Sequence, residues 1–144
     1  MIKYINGDLF TSKNSLAHCI SKDFKLGAGI AKTFRRKYIK EILKARNEMI
    51  DIEKSLVDVG KCLVADVGSC YVFNLITKKF YYEKPTLKSM ESALENMFAK
   101  AETINVETIA MPRIGCGLDR LKWNDVEKLI IKHQGNIDVA VYSL

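Results

Sequence analysis

The sequence predicts an α/β fold: a mixed, mostly parallel sheet with helices on both faces. Three observations lead there. Short β-prone apolar runs alternate with longer stretches whose apolar residues recur every three or four positions, as parallel strands joined by helical crossovers require. One pair of apolar runs is parted only by Asp66-Val67-Gly68, which reads as a hairpin and makes the sheet mixed. The chain has 144 residues, 48% hydrophobic and 28% charged. That length suits one domain, residues 1–144, burying about two-thirds of its unfolded surface.

The elements follow in chain order. Residues 2–5 (IKYI) are β-prone but alternate imperfectly, which suits a first strand near a sheet edge; Asn6-Gly7-Asp8 then breaks the run. Residues 15–20 (SLAHCI) form a second strand. Gly27 and Gly29 bracket Ala28 at a strand-to-helix junction, after which Ile30, Phe34, Tyr38, Ile42 and Ala45 recur at helical spacing. Residues 46–56 are charged and loosely patterned and read as a helix end and loop. Residues 61–65 and 70–77 are the hairpin strands. The second is apolar for most of its length, so it is expected to be central and covered on both faces. Pro85-Thr86 opens the clearest helix, with Leu87, Met90, Leu94, Met97 and Ala101 in one stripe. A strand at 107–111 ends at Pro112. The last helix starts at Trp123 or Asn124, turns Val126, Leu129, Ile130 and His133 inward, and ends at Gly135. Residues 137–142 close the sheet.

Composition excludes several classes. The apolar content is too high for disorder, no apolar run approaches the ~18 residues of a membrane span, and eight Gly, two Pro and no repeat leave no collagen or solenoid. Cys19, Cys62, Cys70 and Cys116 form no CxxC pair, and His18 and His133 have no ligand spacing, so no metal site is expected. Unpaired thiols and an N-terminus too polar for a signal peptide predict a cytoplasmic protein, or a nuclear one in a eukaryote. With no heptad or repeat pattern, a monomer is the default. Net charge is +6, mostly lysine. A basic surplus raises nucleic acid or another phosphate-bearing partner, while the sharpest cluster, Arg35-Arg36-Lys37, reads as a solvated helix face.

Open sheets bind ligands beyond the carboxyl ends of their strands. Three features should therefore meet on one rim. Gly27-Ala28-Gly29-Ile30-Ala31 lets backbone N–H groups approach an anion at a helix start, although a plain tight turn explains the glycines equally well. Arg113-Ile114-Gly115-Cys116-Gly117-Leu118-Asp119 makes a second backbone cradle, and two cradles suit a ligand with two phosphates. Within it, Cys116 is explained by packing between glycines, and Asp119 is a helix cap before it is a general base. Lys78 ends the hairpin's second strand. It is either a solvated terminus or an amine nucleophile, with Leu75, Ile76 and Lys79 beside it to lower its proton affinity. Asp8 forms an Asx turn or accepts a hydrogen bond from an adenine amino group.

Taken in order, GDLF, SLAHCIS, GAGIA, NLITKK, KPT and MPRIGCGLDRLKW resemble a macro domain. More narrowly, they resemble the terminal ADP-ribose protein glycohydrolase branch of that superfamily. The likeness runs from Tyr4 to the closing Val141-Tyr142-Ser143-Leu144 and is weakest over 39–64. MPRIGCGLDRL carries more of it than any glycine spacing.

The resemblance implies a three-layer α/β/α fold that binds ADP-ribose and needs no cofactor. Asp8 would contact adenine with Leu9 beside it. Gly27, Ala28, Gly29 and Ile30 would form one diphosphate and distal-ribose loop, and Gly115, Cys116, Gly117 and Leu118 the other. Ser21, Thr77 and Arg113 complete the implied ADP-ribose contacts. In this branch a lysine attacks the anomeric carbon of the distal ribose and an aspartate assists, roles that fall on Lys78 and Asp119. Other macro-domain hydrolases carry a distal-ribose asparagine near Ser21; its absence here argues against their water-activating mechanism. The implied activity is hydrolysis of ADP-ribose ester-linked to Glu or Asp of proteins, with deacylation of O-acyl-ADP-ribose as a further reaction. The alternatives are a non-catalytic ADP-ribose-binding module and, since the branch includes antitoxin-like members, a hydrolase of ADP-ribosylated nucleobases in DNA. A nucleic-acid-binding module unrelated to ADP-ribose would leave both glycine loops unexplained.

Overall fold

The computed structural model describes residues 1–144. Its strands are β1 (Ile2–Asn6), β2 (Ser15–Ser21), β3 (Cys62–Asp66), β4 (Tyr71–Lys78), β5 (Thr108–Met111) and β6 (Asp138–Ser143). Its helices are α1 (Ala31–Ile52), α2 (Leu87–Thr103) and α3 (Trp123–His133). The strands form one sheet in the order β1-β6-β5-β2-β4-β3. Only the β3–β4 hairpin is antiparallel; the other pairings are parallel. The sheet is thus mixed and mostly parallel as expected, with β1 at an edge. β4 is interior and buried on both faces, although it lies next to the edge strand β3 and not at the sheet's centre.

Side-chain alternation decides which helix covers which face. Leu16 and Ile20 of β2, Val72 and Ile76 of β4, and Leu63 and Ala65 of β3 pack with Phe34 and Ile42 of α1. Ala17 of β2, Phe73 and Leu75 of β4, Ile109 and Met111 of β5, and Val139 and Val141 of β6 pack with Met90, Leu94, Met97, Val126 and Ile130 from α2 and α3. Two apolar cores, one on each face, make the three layers. On the α2–α3 face, Glu91 accepts hydrogen bonds from Lys132 and pairs with His133, both at 2.7 Å.

Three expectations need correction. Residues 46–56 are not chiefly loop: α1 runs on to Ile52 and a short 3₁₀ turn covers Lys54–Leu56. Arg46, Glu48 and Met49, good helix formers, carry it where periodicity fades. Ile30 and Leu87 are not core residues of their helices. Each sits at a helix start, before the first inward-facing turn, and they remain 37% and 41% exposed. The expected stripe of α2 holds from Met90 onward, and Phe98 and Ala93 widen it. At the end of α3, Gly135 adopts φ +55, the left-handed conformation expected just past a helix C-terminus.

Candidate functional site

A cleft of about 810 Å³ opens where β2, β4 and β5 end. It gathers the three features expected on one rim: Gly27, Ala28, Gly29, Ile30 and Ala31; Lys78; and Arg113, Ile114, Gly115, Gly117, Leu118 and Asp119. Ser21 also lines it. Asp8, Leu9, Thr77 and Cys116 do not face its lining. Asp8 caps a 3₁₀ turn by accepting from the Phe10 N–H at 2.9 Å, and Leu9 is buried beneath it in the α1-side core. The Cys116 thiol donates to the Ile114 carbonyl at 3.3 Å, and burial pushes its pKa up, so it stays a protonated packing group.

Lys78 and Asp119 come from different elements and meet inside this cleft. The Lys78 Nζ donates to Asp119 Oδ1 at 2.6 Å, with the side chains 14% and 15% exposed. Asp119 is therefore not the cap of α3; that position belongs to Lys122. The loop turns before the helix begins, with Arg120 at φ +62, and this aims the carboxylate back at β4. On the β4 side, the β2–β4 register slips between Ile20 and Ser21, so Ser21 stands opposite Lys78. Bulges of this kind re-aim side chains beside functional sites. Ser89, at the start of α2, donates to the Thr77 carbonyl at 2.7 Å and fixes the residue before the lysine.

The loop from β2 to α1 is held in an uncommon shape. Phe24 and Leu26 have φ of 56° and 44°, which costs a non-glycine residue on the order of 1 kcal/mol or more. Both side chains are buried in the α1-side core, and that burial holds them there. Asp23 organises the turn. Its carboxylate accepts from Ser21 Oγ at 2.5 Å, from the Lys25 N–H at 3.1 Å and from the Tyr81 N–H at 2.9 Å. Burial pushes its pKa up, but these donors outweigh burial and hold it below the usual carboxylate range. The opposite cradle depends on Gly115, at φ +74, where a Cβ would lie 2.6 Å from Met90 Cε and 3.0 Å from Leu121 Cδ1.

Sequence reasoning missed several lining residues: His18, Lys25, Arg35, Tyr81, Tyr82 and Lys84. Arg35 reaches the cleft and is not merely part of a solvated helix face. The Phe80-Tyr81-Tyr82 run directly after Lys78-Lys79 was a visible signal. His18 carried less of one. It is fully buried, stacked on Phe34 at 3.7 Å between centroids, and its Nε2 lies 2.6 Å from Asn74 Oδ1. Asn74 spends its amide protons on the Leu63 and Val72 carbonyls, so the oxygen accepts and His18 carries its proton on Nε2. Its Nδ1 has no partner. Arg113 packs over both Tyr4 and Trp123 at 5.7 Å, and Tyr4 bonds Glu127 and Trp123, so the arginine is braced on α3.

Two glycine loops thus face each other across the carboxyl end of a mixed sheet in an α/β domain, with an amine–carboxylate pair between them. The comparisons name the group. A family model described as Macro domain matches residues 17–130. The ADP-ribose glycohydrolase OARD1 of Homo sapiens is 38% identical over 149 residues, spanning 99% of this chain and 91% of the relative. The DNA ADP-ribosyl glycohydrolase of Mycobacterium tuberculosis is 27% identical over 99% of this chain and 42% of its own length. The macrodomain of Thermus aquaticus DarG matches in fold, with a TM-score of 0.83 at 24% identity over 100% of this chain and 99% of that one. The chain belongs to the macro domain family.

Proposed function

We propose that this protein is an ADP-ribosyl hydrolase that releases mono-ADP-ribose ester-linked to Glu or Asp of proteins, through Lys78 as nucleophile and Asp119 as proton carrier. The observation that carries this reading is the 2.6 Å Lys78–Asp119 pair enclosed between the two glycine cradles. The likeness to OARD1, which bears the name of an ADP-ribose glycohydrolase, supports it.

The chemistry follows from the geometry. The cradles present backbone N–H groups to the diphosphate, with the start of α1 adding its dipole. This sets the distal ribose against Lys78, and such orientation lowers a barrier by several kcal/mol, up to about 7–11 in ideal cases. Asp119 accepts a proton from the Lys78 ammonium. The freed electron pair on Nζ attacks the anomeric carbon, and the carbon–oxygen bond to the acyl group breaks with its electrons leaving on the carboxylate. The new glycosylamine opens: a proton passes from nitrogen to the ring oxygen through Asp119 as the C=N bond forms. Water then adds at that carbon. The C–N bond breaks with its electrons returning to Nζ, the sugar recloses, and the proton first taken by Asp119 leaves to solvent. A covalent route splits one hard step into two easier ones.

ADP-ribose acylated on its anomeric oxygen presents the same bond with a carboxylate leaving group, so O-acyl-ADP-ribose of that kind is a further substrate in this reading. A second acceptor class, ADP-ribosylated bases in DNA, is favoured by the cations and aromatic rings on the rim and by the likeness to DNA ADP-ribosyl glycohydrolases. The deciding experiment is release of ADP-ribose from a Glu-linked ADP-ribosylated protein by the native chain, Lys78→Ala and Asp119→Ala. Release by the native chain alone establishes the reading. Binding of ADP-ribose without turnover on any linkage makes the protein a reader and overturns it.

A further inference from the structure

Asp119 must stay aimed at Lys78, yet its own stretch of chain is sparsely tied. Gly117 and Arg120 close a turn, the Arg120 N–H donating to the Gly117 carbonyl at 3.2 Å. Leu118 and Asp119, between them, make no hydrogen bond to other backbone groups. Arg120 at φ +62 holds the left-handed conformation that side chains with a Cβ disfavour. Leu118 is 63% exposed, so burial does not fix the turn either. Two lysines do. Lys78 holds the Asp119 carboxylate at 2.6 Å, and the Lys84 Nζ donates at 2.5 Å to the Leu118 carbonyl, part of the peptide group that joins Leu118 to Asp119.

Lys84 is itself exposed, and what fixes it is the backbone on either side. Ahead of it, Phe80 and Glu83 close a tight turn. The Phe80 N–H donates to the Glu83 carboxylate at 2.9 Å, and the Glu83 N–H donates to the Phe80 carbonyl at 3.0 Å. Tyr81 ties that turn to the loop after β2, its N–H donating to Asp23 at 2.9 Å. Behind Lys84, Pro85 is buried and Thr86 caps α2, with Ser89 completing the capping box. From this anchored point the side chain spans to the second glycine loop. A carbonyl accepts more strongly from an ammonium than from a neutral donor. Lys78, the loop that follows it, Lys84 and the Leu118–Asp119 peptide thus form a closed circuit around the reactive pair.

We propose that Lys84 is a positioning residue for Asp119: by holding the Leu118 carbonyl it fixes the peptide that carries the carboxylate. This rests on the hydrolase reading above and gives a second lysine a separate task in it. The task matters most in the later half of the reaction. At the outset Lys78 itself tethers Asp119. Once Lys78 Nζ is bonded to the anomeric carbon, that tether is spent, yet Asp119 must still pass a proton to the ring oxygen before water releases the sugar. Lys84 then remains as the hydrogen bond that keeps the carboxylate in place. It makes no bond to substrate and transfers no proton.

The test assays a Glu-linked ADP-ribosylated protein with the native chain, Lys84→Met, Lys84→Arg and Lys88→Met, the last removing a nearby exposed cation as a control for net charge. Lys84→Met is expected to lower kcat about ten- to a hundredfold, the cost of misplacing a catalytic group by about 1 Å, while its calorimetric affinity for ADP-ribose stays within about twofold of native. Borohydride quenching traps a larger fraction of Lys84→Met than of the native chain as the Lys78 adduct, because release of the sugar is the slowed half. Lys84→Arg, which still donates from a charged group, recovers most of the rate, and Lys88→Met matches the native chain. On an Asp119→Asn background, Lys84→Met costs less than about twofold more, since the group it positions is already disabled. Weaker ADP-ribose binding with kcat unchanged makes Lys84 a ligand contact and overturns the proposal. So does an undiminished rate in Lys84→Met, or a loss that repeats in full on Asp119→Asn, which marks general damage to the fold. A native chain that does not turn over the ester overturns the hydrolase reading instead. The backbone amides of Asp119 and Arg120, expected to broaden in the NMR spectrum of Lys84→Met, then decide without turnover whether Lys84 holds the turn; unchanged amides overturn the proposal.

Discussion

Lys78 and Asp119 stand 41 residues apart in the chain and 2.6 Å apart in space, one at the end of a strand and the other in a glycine loop. Removing either is expected to lower hydrolysis of the Glu-linked substrate strongly. Asp119→Asn keeps the shape but carries no proton, and should cost about 10²–10⁴-fold in kcat. Lys78→Ala should cost at least as much and still bind ADP-ribose, as calorimetry would show. Reduction with borohydride during turnover should add an ADP-ribosyl mass to the peptide containing Lys78. A native chain that never traps this adduct, yet turns over, would refute the covalent route.

The two glycines of the second cradle should respond oppositely. At Gly115, φ +74 and the Met90 and Leu121 contacts make alanine costly. Gly115→Ala should lose about 1–3 kcal/mol of stability in urea denaturation. Nothing lies within 4 Å of a Cβ at Gly117, so Gly117→Ala should unfold within about 0.5 kcal/mol of the native chain. Its effect should appear as weaker ADP-ribose binding, because the methyl group enters the space where the diphosphate approaches.

His18 links the site to acid stability. Burial pushes its pKa down to about 4 from an ordinary 6.5, with the Asn74 hydrogen bond pulling weakly the other way. The unfolded chain therefore binds a proton that the folded chain refuses between those values. Stability from this group is complete above pH 6.5, falls as pH drops toward 4, and changes no further below that. The loss totals about 3 kcal/mol. His18→Leu should be less stable at neutral pH, because Asn74 loses its donor, but its urea midpoint should change less between pH 7 and pH 4.5 than that of the native chain.

Ser89 performs two tasks with one hydroxyl. It accepts from the Thr86 N–H at 3.1 Å, half of the capping box that starts α2, and donates to the Thr77 carbonyl at 2.7 Å. Ser89→Ala should lose about 1 kcal/mol of stability. It should also lower kcat more than it raises KM, since it loosens the backbone that carries Lys78 without touching the ligand loops.

Much of this was legible in the sequence, and the exceptions have physical causes. Apolar periodicity located every strand and the starts of α2 and α3, because burial on a sheet face or helix stripe enforces it. The rim was legible because parallel strands send their carboxyl ends the same way. Residues 46–52 were not legible as helix, since α1 buries only Phe34 and Ile42 completely and its last turns rest on propensity. Asp119 read as a cap because capping is a local pattern, whereas its pairing with Lys78 depends on the β2–β4 bulge and the turn at Arg120. The His18–Asn74 pair was hidden for the same reason: only the parallel register of β2 and β4 puts the two residues side by side.

The strand order carries a consequence for how the chain is made. β1, the first strand, has β6, the last, as its sole neighbour. During synthesis it must wait without a partner until residues 138–143 have left the ribosome, since long-range parallel pairing is slow and late. The Lys78–Asp119 pair waits too, because Asp119 emerges well after Lys78. The nascent chain therefore carries Lys78 unpaired while the 41 residues up to Asp119 are made, and the pair forms only as the sheet closes.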